Sequence, residues 1–137
     1  MQVKMNRISG LRLAALFLLA MFGSAGCMVF SASGDRAGGL REIRLVARNM
    51  TFYAEGDNTP NPTLRLRAGE RVRVVLKNDE PGIDHDFAIR PWKIGTRLIS
   101  GKGEDAITFQ VPDAPGAETS YICTPHFGMM RGLITIQ

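Results

Sequence analysis

The sequence is poor in cysteine and histidine, the residues that most often bind soft metal ions. Among its 137 residues there are two cysteines and two histidines. If Cys27 belongs to an N-terminal export segment, the folded domain keeps only Cys123, and an internal disulfide is excluded. A lone cysteine outside the cytosol is open to oxidation, and bonding to a metal ion protects it. Cys123 is therefore a candidate metal ligand.

The main part of the chain also lacks a strong charge of either sign. The formal net charge is +4, but Lys4, Arg7 and Arg12 supply most of it, and the remainder is close to neutral. We therefore expect no nucleic acid as a partner. Arginines recur at alternating positions within 41–48 and 65–73. That pattern is typical of the solvated face of a sheet, with docking of an acidic partner as the alternative.

A basic start followed by an apolar run indicates a targeting segment within residues 1–30. The run extends from Leu13 to Phe22 and fits an export signal or a membrane anchor. The small residues at 23–26 lead into Cys27, which resembles a bacterial lipobox, although Ser24 stands where leucine is usual. Lipidation of Cys27, cleavage without lipid, and retention of the segment as an anchor are the three alternatives. Each places the folded domain outside the cytoplasm, periplasmic or at the cell surface, either tethered to a membrane or secreted.

Helical periodicity and internal repeats are absent after the targeting segment. Residues 31–39 are small and polar and predict a flexible linker to one folded domain at 40–137. In that domain apolar and polar residues alternate, as in Leu64–Arg67, which predicts half-buried antiparallel strands. Turn residues separate the runs at 56–62, 68–70, 78–82, 101–103 and 112–116. Seven to eight short strands predict an all-β, Greek-key β-sandwich, with a short helix possible near 90–100.

The chemically most informative stretch is residues 121–132. It places the thiol of Cys123, the imidazole of His126 and the thioether of Met130 close together, and the other histidine, His85, lies upstream. Two imidazoles, one thiolate and a weak thioether are the ligand set of one-electron copper sites. Soft sulfur suits Cu(I), and imidazole suits both oxidation states.

These residues resemble the cupredoxins, the type 1 blue copper proteins of the plastocyanin, azurin and amicyanin kind. The resemblance covers about residues 40–137 and rests on three segments: the strand pair at 64–78 that ends in asparagine, His85-Asp86-Phe87, and the loop Cys123–His126 with Met130-Arg-Gly-Leu after it. It implies a cupredoxin-type sandwich that binds one copper ion and cycles between Cu(I) and Cu(II). The implied copper ligands are His85, Cys123, His126 and Met130.

The resemblance also implies roles for residues around these ligands. Met129 is the alternative axial ligand, since the spacing between histidine and methionine varies in the family, while the following Arg131-Gly132 favours Met130. Asn78 and Asp86 are expected to support the ligands. Asp86 departs from the asparagine that many members carry, and an ionised aspartate accepts hydrogen bonds from backbone N–H groups but donates none.

The function implied is that of a monomeric electron carrier that is not an enzyme. His126 would be the electron port, within an apolar docking patch of Pro125, Phe127 and Met129 that meets redox partners transiently. The alternative is a copper delivery or storage module without electron transfer. A Cys–His nucleophilic pair is disfavoured because no oxyanion-binding or orienting group accompanies it.

Overall fold

The computed structural model describes residues 39–137. The targeting segment at 1–30, the lipidation of Cys27 and nearly all of the linker at 31–39 lie outside the described residues. Within residues 39–137, no helix has both the length and the hydropathy that crossing a membrane requires.

The described chain is built almost entirely of strands. In chain order they are β1 (Leu40–Arg48), β2 (Thr51–Ala54), β3 (Leu64–Leu66), β4 (Arg71–Asn78), β5 (Asp84–His85), β6 (Ala88–Ile89), β7 (Ile94–Gly95), β8 (Ile99–Ser100), β9 (Gly103–Gln110), β10 (Glu118–Ile122) and β11 (Arg131–Ile136). Seven of these have three or more residues, in line with the seven to eight predicted. The other four, β5 to β8, are strands of two residues each, and β5 contains His85. The helix considered near 90–100 is a single 3₁₀ turn at Arg90–Trp92.

Two sheets and one short strand pair make up the sandwich. The first sheet has the order β2-β1-β4-β9, the second has the order β3-β11-β10-β6-β7, and β5 pairs with β8. The turn at Ala68–Gly69 links β3 to β4, so the chain passes from one sheet to the other there. Gly69 has φ = 71°, which glycine adopts without steric cost.

The prediction of antiparallel strands is wrong for two pairs. β1 runs parallel to β4, with Leu40 opposite Arg71, and β3 runs parallel to β11. Alternation of apolar and polar residues reports which face of a strand is buried, and that pattern is the same for both strand directions. Direction is decided by how the chain crosses between the sheets.

Three aromatic residues fill the core between the sheets. The ring of Tyr121 lies 5.3 Å from that of Phe52 and 5.3 Å from that of Phe87, and all three are fully buried. The Tyr121 hydroxyl donates to the Pro62 carbonyl at 2.7 Å, which satisfies its one polar group. Burial of each ring stabilises the fold by about 1.5–3 kcal/mol. Tyr121 also anchors β10 immediately before Cys123.

Candidate metal centre

A tightly bonded loop joins β10 to β11 and carries three of the predicted ligands. The Cys123 N–H donates to the Met130 carbonyl at 3.0 Å, and the Met130 N–H donates to the His126 carbonyl at 2.9 Å. The His126 N–H in turn donates to the Cys123 carbonyl at 3.2 Å. Because these bonds close the loop on itself, the positions of Cys123, His126 and Met130 follow from the pairing of β10 with β11.

The fourth predicted ligand reaches the same place from another part of the chain. His85 Nδ1 lies 3.5 Å from Cys123 Sγ, and His126 Nδ1 lies 3.5 Å from the same sulfur. One ligand atom from each of these three residues lies within 4.8 Å of the other two. The two imidazole rings are 5.0 Å apart and tilted by 59°. Two nitrogens and one sulfur therefore face a common point.

The two candidate axial methionines lie in opposite environments. Met130 is fully buried in the core, whereas Met129 is 59% exposed. Burial beside Cys123 favours Met130 as the axial residue, and that role stays a prediction. The exposed Met129 belongs with Phe127, which is 61% exposed, and with the exposed Pro125. All three predicted members of the docking patch thus lie at the surface next to the half-buried His126.

The environment of Cys123 favours the neutral thiol in the absence of a cation. Burial raises the pKa of Cys123 to about 11, the backbone N–H groups of Asp86 and His126 lower it, and the Asp86 charge raises it. A metal ion reverses this preference because it binds the thiolate and displaces the proton. The backbone N–H groups are already in place to stabilise that thiolate.

Asp86 connects the segment of His85 to the ligand loop. Its carboxylate accepts a hydrogen bond from the Thr124 N–H, the residue after Cys123. An asparagine would accept the same bond through its side-chain oxygen. The backbone and the side chain of Asp86 therefore both contact the ligand loop, and both contacts limit how far His85 and Cys123 can separate.

Asn78 organises the turn that leads to His85. It is fully buried at the end of β4, and its amide donates to the carbonyls of Ile83 at 2.7 Å and Ile99 at 3.0 Å. Its side-chain oxygen accepts from the Glu80 N–H at 2.9 Å. Both N–H groups and the oxygen of this buried amide are thus bonded, and they join the 79–83 loop to β8, which pairs with the strand of His85.

Sequence reasoning missed two residues that stabilise the site. Glu80 Oε2 lies 2.8 Å from His85 Nε2, on the side of the ring away from Cys123. Burial tends to raise the pKa of Glu80, but hydrogen bonds from the Met50 N–H and from His85 lower it overall. Asn61 donates to the Met129 carbonyl at 3.2 Å and so ties a remote loop to the ligand loop. The only local signal for Glu80 is a carboxylate five residues before a histidine, and carboxylates are common in turns.

The donor set fits a copper ion. Its members are two imidazole nitrogens, a buried thiol that binds as thiolate, and a buried thioether nearby, and this combination suits copper rather than hard cations. Carboxylates are missing from the cluster of ligand atoms within residues 39–137. Strand ends and a closed loop support the donors.

Comparison with known proteins agrees with the geometry. A profile of the copper-binding proteins of the plastocyanin/azurin family matches residues 61–137, more than half of the chain. No curated protein sequence matches at a significant level. Among solved structures, auracyanin A, a "blue" copper protein from the green thermophilic photosynthetic bacterium Chloroflexus aurantiacus, is 20% identical with a TM-score of 0.58, covering 72% of this chain and 100% of that one.

Two further structures show how widely the fold is used. Reduced rusticyanin is 21% identical with a TM-score of 0.55, covering 72% of this chain and 79% of its own. Fet3p, a multicopper oxidase that functions in iron import, is 16% identical with a TM-score of 0.57, covering 72% of this chain and 23% of its own. At such identities the likeness shows a shared fold.

Proposed function

Because the chain belongs to the plastocyanin/azurin family of copper-binding proteins, we propose that it is a one-electron carrier between redox proteins outside the cytoplasm. Its cofactor is a single type 1 copper ion. The observation that carries the proposal is the convergence of His85 Nδ1, Cys123 Sγ and His126 Nδ1 within 4.8 Å of one another at a buried point.

The rigidity of the donor set supports electron transfer over catalysis. Copper bound there would supply a one-electron Cu(I)/Cu(II) couple. The protein keeps the donors in place through the bonds of the 123–130 loop and through the contacts of Asp86 and Asn78. A site with little freedom to rearrange keeps the barrier to electron transfer low. His85, Cys123 and Met130 are buried and His126 is half-buried, which limits the access of a substrate to a bound ion, so we propose no enzymatic activity.

The surface beside His126 suits brief contact with a partner protein. Phe127 and Met129 expose more than half of their side chains, and small apolar contacts are typical of weak redox complexes. Arg90 and Arg131 border this patch. They line, with Phe127, a groove of about 210 Å³, and the Arg90 guanidinium lies 5.7 Å from the Phe127 ring centre.

The charge of this border defines the chemistry of the partner. Among the described residues neither Arg90 nor Arg131 forms an ion pair, whereas Arg44 and Arg97 are paired with carboxylates. Unpaired guanidinium groups around an apolar patch complement a surface that carries carboxylates. We therefore propose that the partner is a redox protein whose docking surface has an acidic rim. We also propose that this chain binds it as a monomer. Export and attachment through the N-terminal segment belong to the same proposal.

Copper binding tests the core of the proposal. Purified protein given Cu(II) should develop an intense blue or green colour that ascorbate bleaches and that reoxidation restores. The Cys123→Ser variant should lose the colour while remaining folded by circular dichroism, since serine is nearly isosteric. A colourless complex of the wild-type protein, or one that ascorbate does not change, would refute electron transfer and favour copper delivery or storage.

The docking face has its own test with an anionic probe. The anion hexacyanoferrate(II) takes the place of an acidic partner. The rate at which it reduces the copper(II) protein is measured over a range of salt concentrations. The double variant Arg90→Gln/Arg131→Gln should react roughly three- to tenfold more slowly at low salt. The control, Arg67→Gln/Arg71→Gln, removes the same charge at the start of β4 and in the turn before it, whereas the 79–83 loop that leads to His85 follows the other end of this strand, which is roughly 23 Å long. Equal slowing by both variants would show that net charge alone steers the probe and would refute the docking face.

A further inference from the structure

Among the residues around the copper site, Glu80 has a distinct position. We propose that Glu80 is a positioning residue for copper: its carboxylate fixes the tautomer and the ring plane of His85, and thereby sets copper affinity and reduction potential. This inference rests on the proposed copper site. The sequence patterns used to identify the ligands did not point to Glu80.

The contact between the two side chains determines which nitrogen is free for metal. Glu80 Oε2 lies 2.8 Å from His85 Nε2, and an ionised carboxylate only accepts hydrogen bonds. Nε2 must therefore carry the proton, and Nδ1 keeps its lone pair toward Cys123 Sγ, 3.5 Å away. A hydrogen bond from the remote nitrogen to a carboxylate is the arrangement that orients metal-binding histidines and makes them better donors.

The contact is shielded from water. The His85 side chain is completely buried, and that of Glu80 is only 16% exposed. Water therefore competes weakly for the bond, and the imidazole has little room to rotate. A solvent-exposed pair of the same geometry would orient the ring far less firmly.

Glu80 is itself fixed from two directions. The oxygen that meets His85 also accepts from the Met50 N–H at 3.1 Å, in the turn between β1 and β2. The Glu80 backbone N–H donates to Asn78 Oδ1 at 2.9 Å. Asn49 and Met50 have φ of 51° and 55°, a left-handed conformation that is uncommon for residues other than glycine. The turn at Asn49–Met50 thus has an unfavourable backbone conformation at the point where the Met50 N–H donates to the Glu80 carboxylate.

Three variants separate positioning from other roles. Glu80→Ala removes the carboxylate, and Glu80→Gln keeps an oxygen that can accept from His85 but removes the charge. Asp79→Asn is the matched control, because it removes the same charge from the neighbouring residue. The Asp79 carboxylate forms ion pairs with Lys77 and Lys102. A global effect of charge would appear equally in Glu80→Gln and Asp79→Asn.

The first measurement uses the metal-free protein and does not depend on copper. Nitrogen-15 NMR at mildly alkaline pH should show His85 as a single Nε2–H tautomer in the wild type, in Glu80→Gln and in Asp79→Asn. In Glu80→Ala, the Nε2 proton should exchange rapidly or both tautomers should be populated. An unchanged tautomer and unchanged exchange in Glu80→Ala would refute the proposal. If that variant fails to fold, Glu80→Gln carries the test: faster exchange of its Nε2 proton than in Asp79→Asn supports the proposal, because a neutral oxygen is the weaker acceptor, and identical exchange with an identical reduction potential refutes it.

The second measurement follows the copper protein. Cu(II) affinity, from competition with a chelator, should fall about 10–100-fold in Glu80→Ala, and Cu(I) affinity should fall less. The potential of Glu80→Gln should lie above that of the wild type and of Asp79→Asn, because a neutral acceptor makes the imidazole a weaker donor to Cu(II). Affinities within twofold of the wild type and an unchanged potential would refute the proposal. If the wild type itself formed no coloured copper complex, the proposed function would fail, and the tautomer measurement would still judge the role of Glu80.

Discussion

The backbone of Gly132 packs directly against the ring of Tyr121, which lies opposite it in the pairing of β10 with β11. A methyl group at residue 132 would collide with Cζ of the Tyr121 ring. The contact lies at the base of the ligand loop, since Tyr121 precedes Cys123 by two residues and Gly132 follows Met130 by two. Close packing of the hairpin therefore depends on the absence of a side chain at residue 132.

The first prediction concerns this contact. Gly132→Ala should lower the free energy of unfolding by about 1–3 kcal/mol, because the buried ring must move to admit the methyl group. Gly128→Ala is the control: that glycine is exposed in the same loop and has nothing within 4 Å of an added methyl group. It should change stability by less than about 0.5 kcal/mol. Urea denaturation of the metal-free variants measures both, and equal stabilities would contradict the close packing.

The second prediction concerns the axial residue. Met130→Leu should keep the colour of the copper protein and raise its reduction potential, because a thioether that favours Cu(II) is replaced by an apolar group of similar volume. Its stability without metal should change by less than about 1.5 kcal/mol. Met129→Leu alters a side chain that is 59% exposed and should leave the potential unchanged. Spectroelectrochemistry compares the two, and a shift in Met129→Leu alone would assign the axial role to Met129.

The third prediction concerns Asn78. Asn78→Ala should destabilise the domain by about 2–4 kcal/mol, since three backbone groups that are buried or partly buried lose their partner. It should also weaken copper binding, because the 79–83 loop leads directly into His85. As a control, Asn58→Ala removes an amide at an exposed position whose side chain accepts one bond from Arg48, and its effect should be small. The two are compared by thermal unfolding and by copper titration. Asn78→Ala with native stability would show that water replaces the lost bonds.

The fourth prediction concerns pH and the pair Arg97–Asp105. The side chain and the backbone N–H of Arg97 bond to the Asp105 carboxylate at 3.1 and 2.8 Å and lower its pKa below the ordinary 3.8. A carboxyl with a lower pKa when folded stabilises the protein above its unfolded pKa, and that contribution is lost as pH falls through the folded pKa.

The wild type should therefore be more stable than Asp105→Asn at neutral pH, and the two should converge in acid. The difference should be small, because Arg97 is largely exposed. Asp113→Asn, at an exposed position, should match the wild type throughout. Guanidinium denaturation is unsuited to an ionic pair because the salt screens it, so urea is used across the pH range. A difference between the wild type and Asp105→Asn that grows in acid would contradict the assignment.

The strand content was predictable because it depends on local pattern. Alternation in segments such as Val72–Leu76 reports burial of one face, and the structure has strands where the alternation lies. Register and direction were not predictable from it. The pairing of β1 with β4 in parallel, Leu45 opposite Leu76, depends on how the chain crosses from sheet to sheet.

The metal-binding residues were predictable from the sequence, but the residues that hydrogen-bond to them and to their loop were not. Cys123, His126 and Met130 lie in one loop, where spacing and residue type carry the chemistry, and the small number of histidines in the chain left His85 as their partner. The hydrogen bond that Glu80 accepts from His85 and the one that Asn61 donates to the ligand loop join residue types that are common in any turn. Their meaning depends on orientation and burial, which residue type does not specify.

The sequence by itself determined the class of fold, the donor atoms available to a metal and their preference for copper, since alternation and ligand softness are properties of the residues. The tertiary structure decided which nitrogen of His85 faces the sulfur of Cys123 and which nitrogen bonds to Glu80. It also decided that Met130 is buried while Met129 is exposed. These features arise from contacts between segments distant in the chain, as with His85 and Cys123, which are separated by 38 residues. Such contacts form only when the two sheets pack and exclude water.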